Sequence, residues 1–94
     1  MKQSNNYSKK FNDFLENLYE AEGYDYQVIV TSSSKASYSG KEHQIISSHI
    51  AHIISDYQAE GFEAIAANGY IKDDLVVAEL VIRRRSDADE LLYC

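Results

Sequence analysis

The sequence predicts an α+β fold with the element order helix, strand, helix, strand, strand. Two segments repeat their apolar residues at the helical period, and three others are rich in β-branched and aromatic residues at strand spacing. The chain has 94 residues, of which 45% are hydrophobic and 26% are charged. This composition is ordinary for a globular protein, and the length fits one domain. We therefore expect a flexible N-terminus over residues 1–8 and one compact domain over 9–94.

The first helix is predicted from Lys9 to about Ala21. Its apolar residues at helical spacing are Phe11, Phe14, Leu15 and Leu18. Gly23 provides a natural left-handed stop after the helix. The first strand follows over residues 24–31, and a Ser-rich loop over residues 32–41 leads to the second helix.

The second helix is predicted over Glu42–Glu60, and its solvent side has an unusual composition. An apolar stripe recurs at about 100° per residue, as expected for a helix that packs on a sheet; it consists of Ile46, Ile50, Ile53, Ile54 and Tyr57. The other side is small and uncharged where lysine and glutamate are usual. We name part of it the flat face and predict that it serves packing or self-association; its residues are Ser47, Ser48, Ala51, Ser55 and Ala59.

The last two strands are predicted over residues 62–71 and 75–85. Two turns compete between them. Asn68-Gly69 is a strong hairpin signal, but it leaves a stub before the charged residues that follow. A turn at Lys72-Asp73-Asp74 gives strands of nearly equal length, with Asn68-Gly69 as a bulge, and we favour it. Beyond the last strand, residues 86–90 resemble a helix start, so a short C-terminal helix or tail is expected.

A strand-helix-strand unit with a right-handed crossover, followed by a hairpin, predicts a three-stranded mixed sheet with both helices on one face. In that arrangement the first helix lies beside the second, and the other sheet face is bare. The strand over residues 75–85 is apolar on both sides and needs a cover. We therefore expect a homodimer, formed through sheet backs or by pairing of strand edges.

The charge balance separates classes of partner. Nine basic and 15 acidic residues give a net charge of −6. Such a chain lacks the basic surface that direct nucleic-acid binding requires, whereas it suits a basic protein surface. Moderate negative charge also simply keeps proteins soluble. The sequence has no apolar run of membrane-spanning length and no signal-peptide core at its start, and its single Cys94 fits a reducing compartment, so a cytoplasmic location is expected.

One group of residues has the chemistry of metal ligands. His49, His52 and Asp56 fall within about 60° of one another on a helical projection. Zinc sites use three or four such ligands, and no further ligand pair accompanies these three. We favour the alternative in which the histidines flank the apolar stripe and His52 pairs with Asp56 one turn later. No metal or other cofactor is therefore predicted.

No residue pattern of an enzyme is present. Ser39-Gly40-Lys41 resembles a fragment of a phosphate-binding loop, but the motif fails at both ends. Arg83-Arg84-Arg85 alternate between the faces of a strand, which disperses their charge. No serine, cysteine or acid pair lies in a recognisable nucleophile or acid–base arrangement. We predict a protein that is not an enzyme.

These observations together predict a protein-binding module. Acidic residues spaced along the first helix and just after it are the candidate contacts to a basic partner, although a solvated helix face explains them as well; they are Asp13, Glu16, Glu20, Glu22 and Asp25. Eight tyrosines favour interface formation. The concrete expectation is a small acidic phage-type inhibitor, anti-defence or anti-CRISPR-like, that occludes a host nucleic-acid-handling protein. The alternative is a regulatory domain that binds a metal or small ligand through His49, His52 and Asp56 or through the loop over 32–41.

Overall fold

A computed structural model describes residues 7–87 and shows an α+β fold, as predicted. The elements are α1 (Lys9–Glu16), β1 (Tyr24–Ser34), a 3-10 turn (Lys35–Ser37), α2 (Glu42–Gln58), β2 (Glu63–Lys72) and β3 (Leu75–Arg85). The predicted helix or tail beyond residue 87 lies outside the described residues. Ser8 caps α1 by accepting a hydrogen bond from the Phe11 amide, so Ser8 takes part in the start of the helix.

The three strands form an antiparallel sheet in the order β1-β3-β2. The predicted mixed sheet is wrong, because β3 inserts between β1 and β2 instead of adding to one side of a parallel pair. β3 is the most apolar strand, and the central position is the one where both faces are most fully covered. Its residues from Val76 to Ile82 are all buried.

The two helices pack on opposite faces of the sheet, which corrects the prediction of one shared face. Phe11 and Leu15 of α1 form a core with Val81. The helix α2 packs on the other side, against Leu80 and Ile82. Since successive residues of a strand point to opposite faces, we call the side of Val81 the α1 face and the side of Leu80 the α2 face. β3 therefore finds covers on both sides within its own chain, and the bare sheet back that motivated dimerisation does not exist.

The helix α1 ends at Glu16, five residues before its predicted end. Asn17 occupies the C-cap, and its side-chain amide donates to the Asp13 carbonyl at 2.9 Å. Asparagine competes in this way with the helical hydrogen-bond pattern and favours helix ends. The chain then runs toward β1, where the Ala21 amide donates to the Tyr26 hydroxyl at 2.9 Å.

The predicted stripe of α2 is confirmed, since Ile50, Ile53, Ile54 and Tyr57 pack on the α2 face. The helix approaches β2 most closely at Gly69. A Cβ atom there would overlap the Ile46 Cγ2 atom and lie 3.0 Å from the Ile50 Cδ1 atom. Only glycine allows this approach without displacing the Ile46 side chain.

The favoured hairpin turn is confirmed, because Lys72 pairs with Leu75 across Asp73 and Asp74. Asp73 has a φ of 54°, a conformation that aspartate tolerates better than most residues. The bulge, however, was predicted in the wrong place. Asn68-Gly69 stays in regular register, and the irregularity lies between Ala64 and Ala66.

Candidate interaction surface

Five acidic side chains were predicted to contact a partner, and all five are exposed. Asp13 and Glu16 lie one turn apart on the outer side of α1. Asp25 is separated from them, because it lies on the α2 face of the sheet and accepts a hydrogen bond from the Ser86 hydroxyl at 3.0 Å. We therefore define the acidic surface by the four residues before β1, which are Asp13, Glu16, Glu20 and Glu22.

Two aromatic side chains in the same segment are also exposed. Tyr19 is 82% exposed, and Phe14 is 38% exposed although the sequence placed it on the buried stripe of α1. The helix contacts the sheet through Phe11 and Leu15, which leaves Phe14 at the rim of the contact. Exposed aromatic rings among charged residues are typical of protein interfaces.

The arginines at the end of β3 are engaged with neighbouring side chains. Arg83 bonds Glu63 and lies over the ring of Tyr24, 4.2 Å from its centroid. Arg85 donates to Asp87 at 3.0 Å. These contacts within the chain reduce the positive charge that the strand end presents to a partner.

The flat face of α2 is open to solvent along its length. All five of its residues are exposed, namely Ser47, Ser48, Ala51, Ser55 and Ala59. The expectation that the first helix lies beside it is wrong, because α1 is on the opposite face of the sheet. No described residue outside α2 buries this face.

The candidate metal ligands do not converge. His52 and Asp56 form an exposed i,i+4 pair with 3.7 Å between nitrogen and oxygen. His49 was expected at the flank of the stripe, but it is only 2% exposed. Its Nε2 atom lies 3.1 Å from the Thr31 hydroxyl, and its Nδ1 atom lies 2.9 Å from the Tyr38 hydroxyl. Both ring nitrogens are therefore occupied, and residues 7–87 contain no group of three or more His, Cys, Asp or Glu side chains arranged to hold a metal.

An open depression lies beside this histidine at one end of the molecule. The 3-10 turn, the start of α2 and the hairpin turn line it through Lys35, Tyr38, Ile45 and Asp74. The Lys35 amide donates to the Asp74 carbonyl at 2.8 Å, which ties the turn to the hairpin. The loop predicted over 32–41 is thus partly strand and partly an anchored turn.

Sequence reasoning missed the most buried charged residue, Glu79 on the α1 face of β3. Its side chain is fully buried and accepts hydrogen bonds from the Ser8 amide at 2.6 Å, the Ser8 hydroxyl at 2.6 Å and the Asn68 side-chain amide at 2.9 Å. Burial and then the charge of Glu79 raise the pKa of Tyr70 above its ordinary value. The available signal was a single carboxylate inside an otherwise apolar strand, because such a residue needs dedicated donors.

The outer edge of β1 is the longest unpaired backbone in residues 7–87. β1 has 11 residues, and all pair with β3 without a register shift. β1 contains neither proline nor lysine, and Asp25 is its single charged residue. Val30 on this strand is 42% exposed. Natural edges are usually blunted by bulges, lysine or proline, and β1 has none of these devices.

Comparison with protein families, with curated proteins and with solved structures finds no match to this chain. No helix within residues 7–87 is long and apolar enough to cross a membrane. Among the described residues, the surfaces open to a partner are the acidic surface, the flat face and the β1 edge.

Proposed function

We propose that this chain is a protein-binding module without catalytic activity, which occludes a basic surface of a nucleic-acid-handling protein. The observation that carries the proposal is the acidic surface together with exposed Tyr19 and Phe14. A small anti-defence inhibitor of phage type is the concrete form that the size and acidity of the chain favour.

The physical argument begins with charge. Residues 13–25 contain five carboxylates and no basic residue. A surface that binds nucleic acid is basic, so an acidic protein surface is attracted to it and competes with phosphate. Electrostatic attraction between exposed charges mainly accelerates encounter and selects the partner.

Affinity then requires apolar area, which exposed aromatic rings supply. Tyrosine combines a large ring with a polar tip and is enriched among the residues that dominate binding energy. Tyr19 packs little against residues 7–87, since 82% of it is exposed. The segment that carries these exposed rings together with exposed carboxylates is therefore the part of the described surface best suited to a basic partner.

Charge reversal on α1 tests the proposal. The variant Asp13→Lys/Glu16→Lys should lose at least about tenfold in the amount of partner captured from host lysate, because each reversal replaces attraction by repulsion. The matched control is Asp56→Lys/Glu60→Lys, which makes the same change in net charge near the C-terminal end of α2. It should capture as much partner as the wild-type chain, and capture should weaken with added salt.

Two results would contradict the proposal. One is that the wild-type chain enriches no protein relative to the α1 variant. The other is an equal loss in both variants, which would mean that overall charge and not the acidic surface governs capture. Urea unfolding of both variants must first show wild-type stability, so that a loss of capture reports on the surface.

A further inference from the structure

We propose that the β1 edge binds the β1 edge of a second copy of the chain, so that the two three-stranded sheets join into one continuous antiparallel sheet. This inference is independent of the acidic surface, because it concerns a different part of the molecule and a different partner. In this dimer the interface is the β1 edge and not a face of the sheet, because helices cover both faces.

The first argument is the contrast between the two edges of the sheet. β2 is interrupted by its irregularity between Ala64 and Ala66 and carries Glu63 and Lys72 at its ends. β1 runs 11 residues in unbroken register. No strand among residues 7–87 pairs with its outer side. A long, regular and nearly uncharged edge is a template for another strand.

The second argument is that β1 is complementary to itself. Antiparallel pairing of two sheets side by side requires a two-fold axis perpendicular to the sheet, so paired residues must point to the same face. An axis at Ile29, the middle of the strand, uses all 11 residues. It sets Val30 opposite Val28 of the second copy, and two such pairs form by symmetry. Cross-strand pairs of β-branched residues stabilise sheets, and these pairs would bury the exposed part of Val30.

The third argument is the placement of charge. Asp25 is the single charged residue of β1, and the same axis sets it opposite Ser33 of the second copy. The two Asp25 residues are then eight strand positions apart, or about 27 Å at the usual rise per residue. This separation exceeds the screening length of about 8 Å at physiological salt, so their repulsion is small. Pairing of the two β1 strands therefore brings no two like-charged side chains of β1 close together.

The fourth argument is that α2 leaves room for a second sheet. α2 packs mainly against β2 and β3 and reaches β1 through the contact of His49 with Thr31. The perpendicular axis places both α1 helices on one face of the joined sheet and both α2 helices on the other. We call the junction between the two β1 strands the seam. The two α2 helices then lie on either side of the seam and do not contact each other across it.

Sedimentation equilibrium of three proteins tests the proposal. The wild-type chain should have twice the mass of one chain. Val30→Lys should weaken association at least about tenfold, because it places a charge in the middle of the seam. Leu75→Lys is the control, since Leu75 is 44% exposed and apolar but lies on β3 at the hairpin end. It should dimerise like the wild-type chain.

Hydrogen exchange in β1 identifies the interface independently of any substitution. An edge strand of a monomer leaves every second amide unpaired and fast to exchange, whereas a paired edge protects all of them. We expect full protection of β1 in the wild-type dimer and alternating protection in Val30→Lys. A wild-type monomer at hundreds of micromolar would overturn the proposal, whether β1 is unprotected or is protected by residues outside 7–87. A dimer that keeps alternating exchange in β1, or one unaffected by Val30→Lys, would overturn it equally.

Discussion

Glu79 shows how a single buried charge organises one face of the sheet. A carboxylate without water costs several kcal/mol unless donors replace its hydration. Ser8 and Asn68 supply these donors from two other parts of the chain. Ser8 is also the N-cap of α1, and negative charge near the first turn of a helix is favourable. Glu79 thus joins the start of α1 to the central strand.

Glu79→Gln tests this role at the scale of one residue. Glutamine keeps the shape of the side chain but replaces an accepting oxygen by a donor, which faces the donors of Ser8 and Asn68. We expect a loss of about 1–3 kcal/mol in the free energy of unfolding, measured in urea at neutral pH. The control Glu63→Gln removes an exposed carboxylate from its ion pair with Arg83 and should cost less than about 1 kcal/mol. Equal losses in the two variants would mean that Glu79 has no special structural role.

Helices and strands begin and end close to where the local sequence predicts, wherever tertiary packing favours the same structure. β3 has the predicted bounds, and the hairpin turn lies at the predicted Lys72-Asp73-Asp74. α1 is shorter than its apolar period, because Asn17 ends it before Leu18. Asn68-Gly69 has the composition of a turn, yet it lies inside a strand because α2 needs a residue without a side chain at position 69.

Gly69→Ala tests the contact between α2 and β2. The added methyl group would overlap Ile46 and force its side chain, or α2 with it, to shift. Overpacking of this kind typically costs about 1–3 kcal/mol, which urea unfolding would measure. Ile46→Ala in the same chain makes room, so the double variant should be more stable than the sum of the two single losses predicts. Strict additivity of the two losses would show that the two residues do not compete for the same space.

At the scale of the whole molecule, the sheet has a helix on each face and two strand edges at its sides. This arrangement buries β3 from Val76 to Ile82 and removes the reason to dimerise through a sheet back. The surfaces left for association are the β1 edge, the flat face of α2 and the acidic surface around α1. The flat face and the β1 edge belong to different elements, so substitutions can test them separately.

Ser48→Glu/Ser55→Glu separates the flat face from the β1 edge. Both serines are exposed, so the free energy of unfolding should change by no more than about 0.5 kcal/mol. Sedimentation should show the same dimer as the wild-type chain, because the seam lies elsewhere. Dissociation of the dimer in this variant would instead assign self-association to the flat face.

Much of the local structure could be predicted from the sequence, because periodicity and turn chemistry depend on neighbouring residues. The stripe of α2, the bounds of β3, the hairpin turn and the exposure of the acidic residues on α1 belong to this group. The candidate metal site could not be judged in this way, because His49 is held by Thr31 and Tyr38 from distant positions.

The sequence by itself determined which segments become helices and strands and where the charge lies. Only the tertiary structure decided that β3 lies between β1 and β2, that α1 and α2 take opposite faces, and that Glu79 meets Ser8. The physical reason is the range of the interactions. Propensity and periodicity act over a few residues, whereas strand order and burial depend on contacts between distant segments. Within residues 7–87 these contacts leave the outer edge of β1 unpaired.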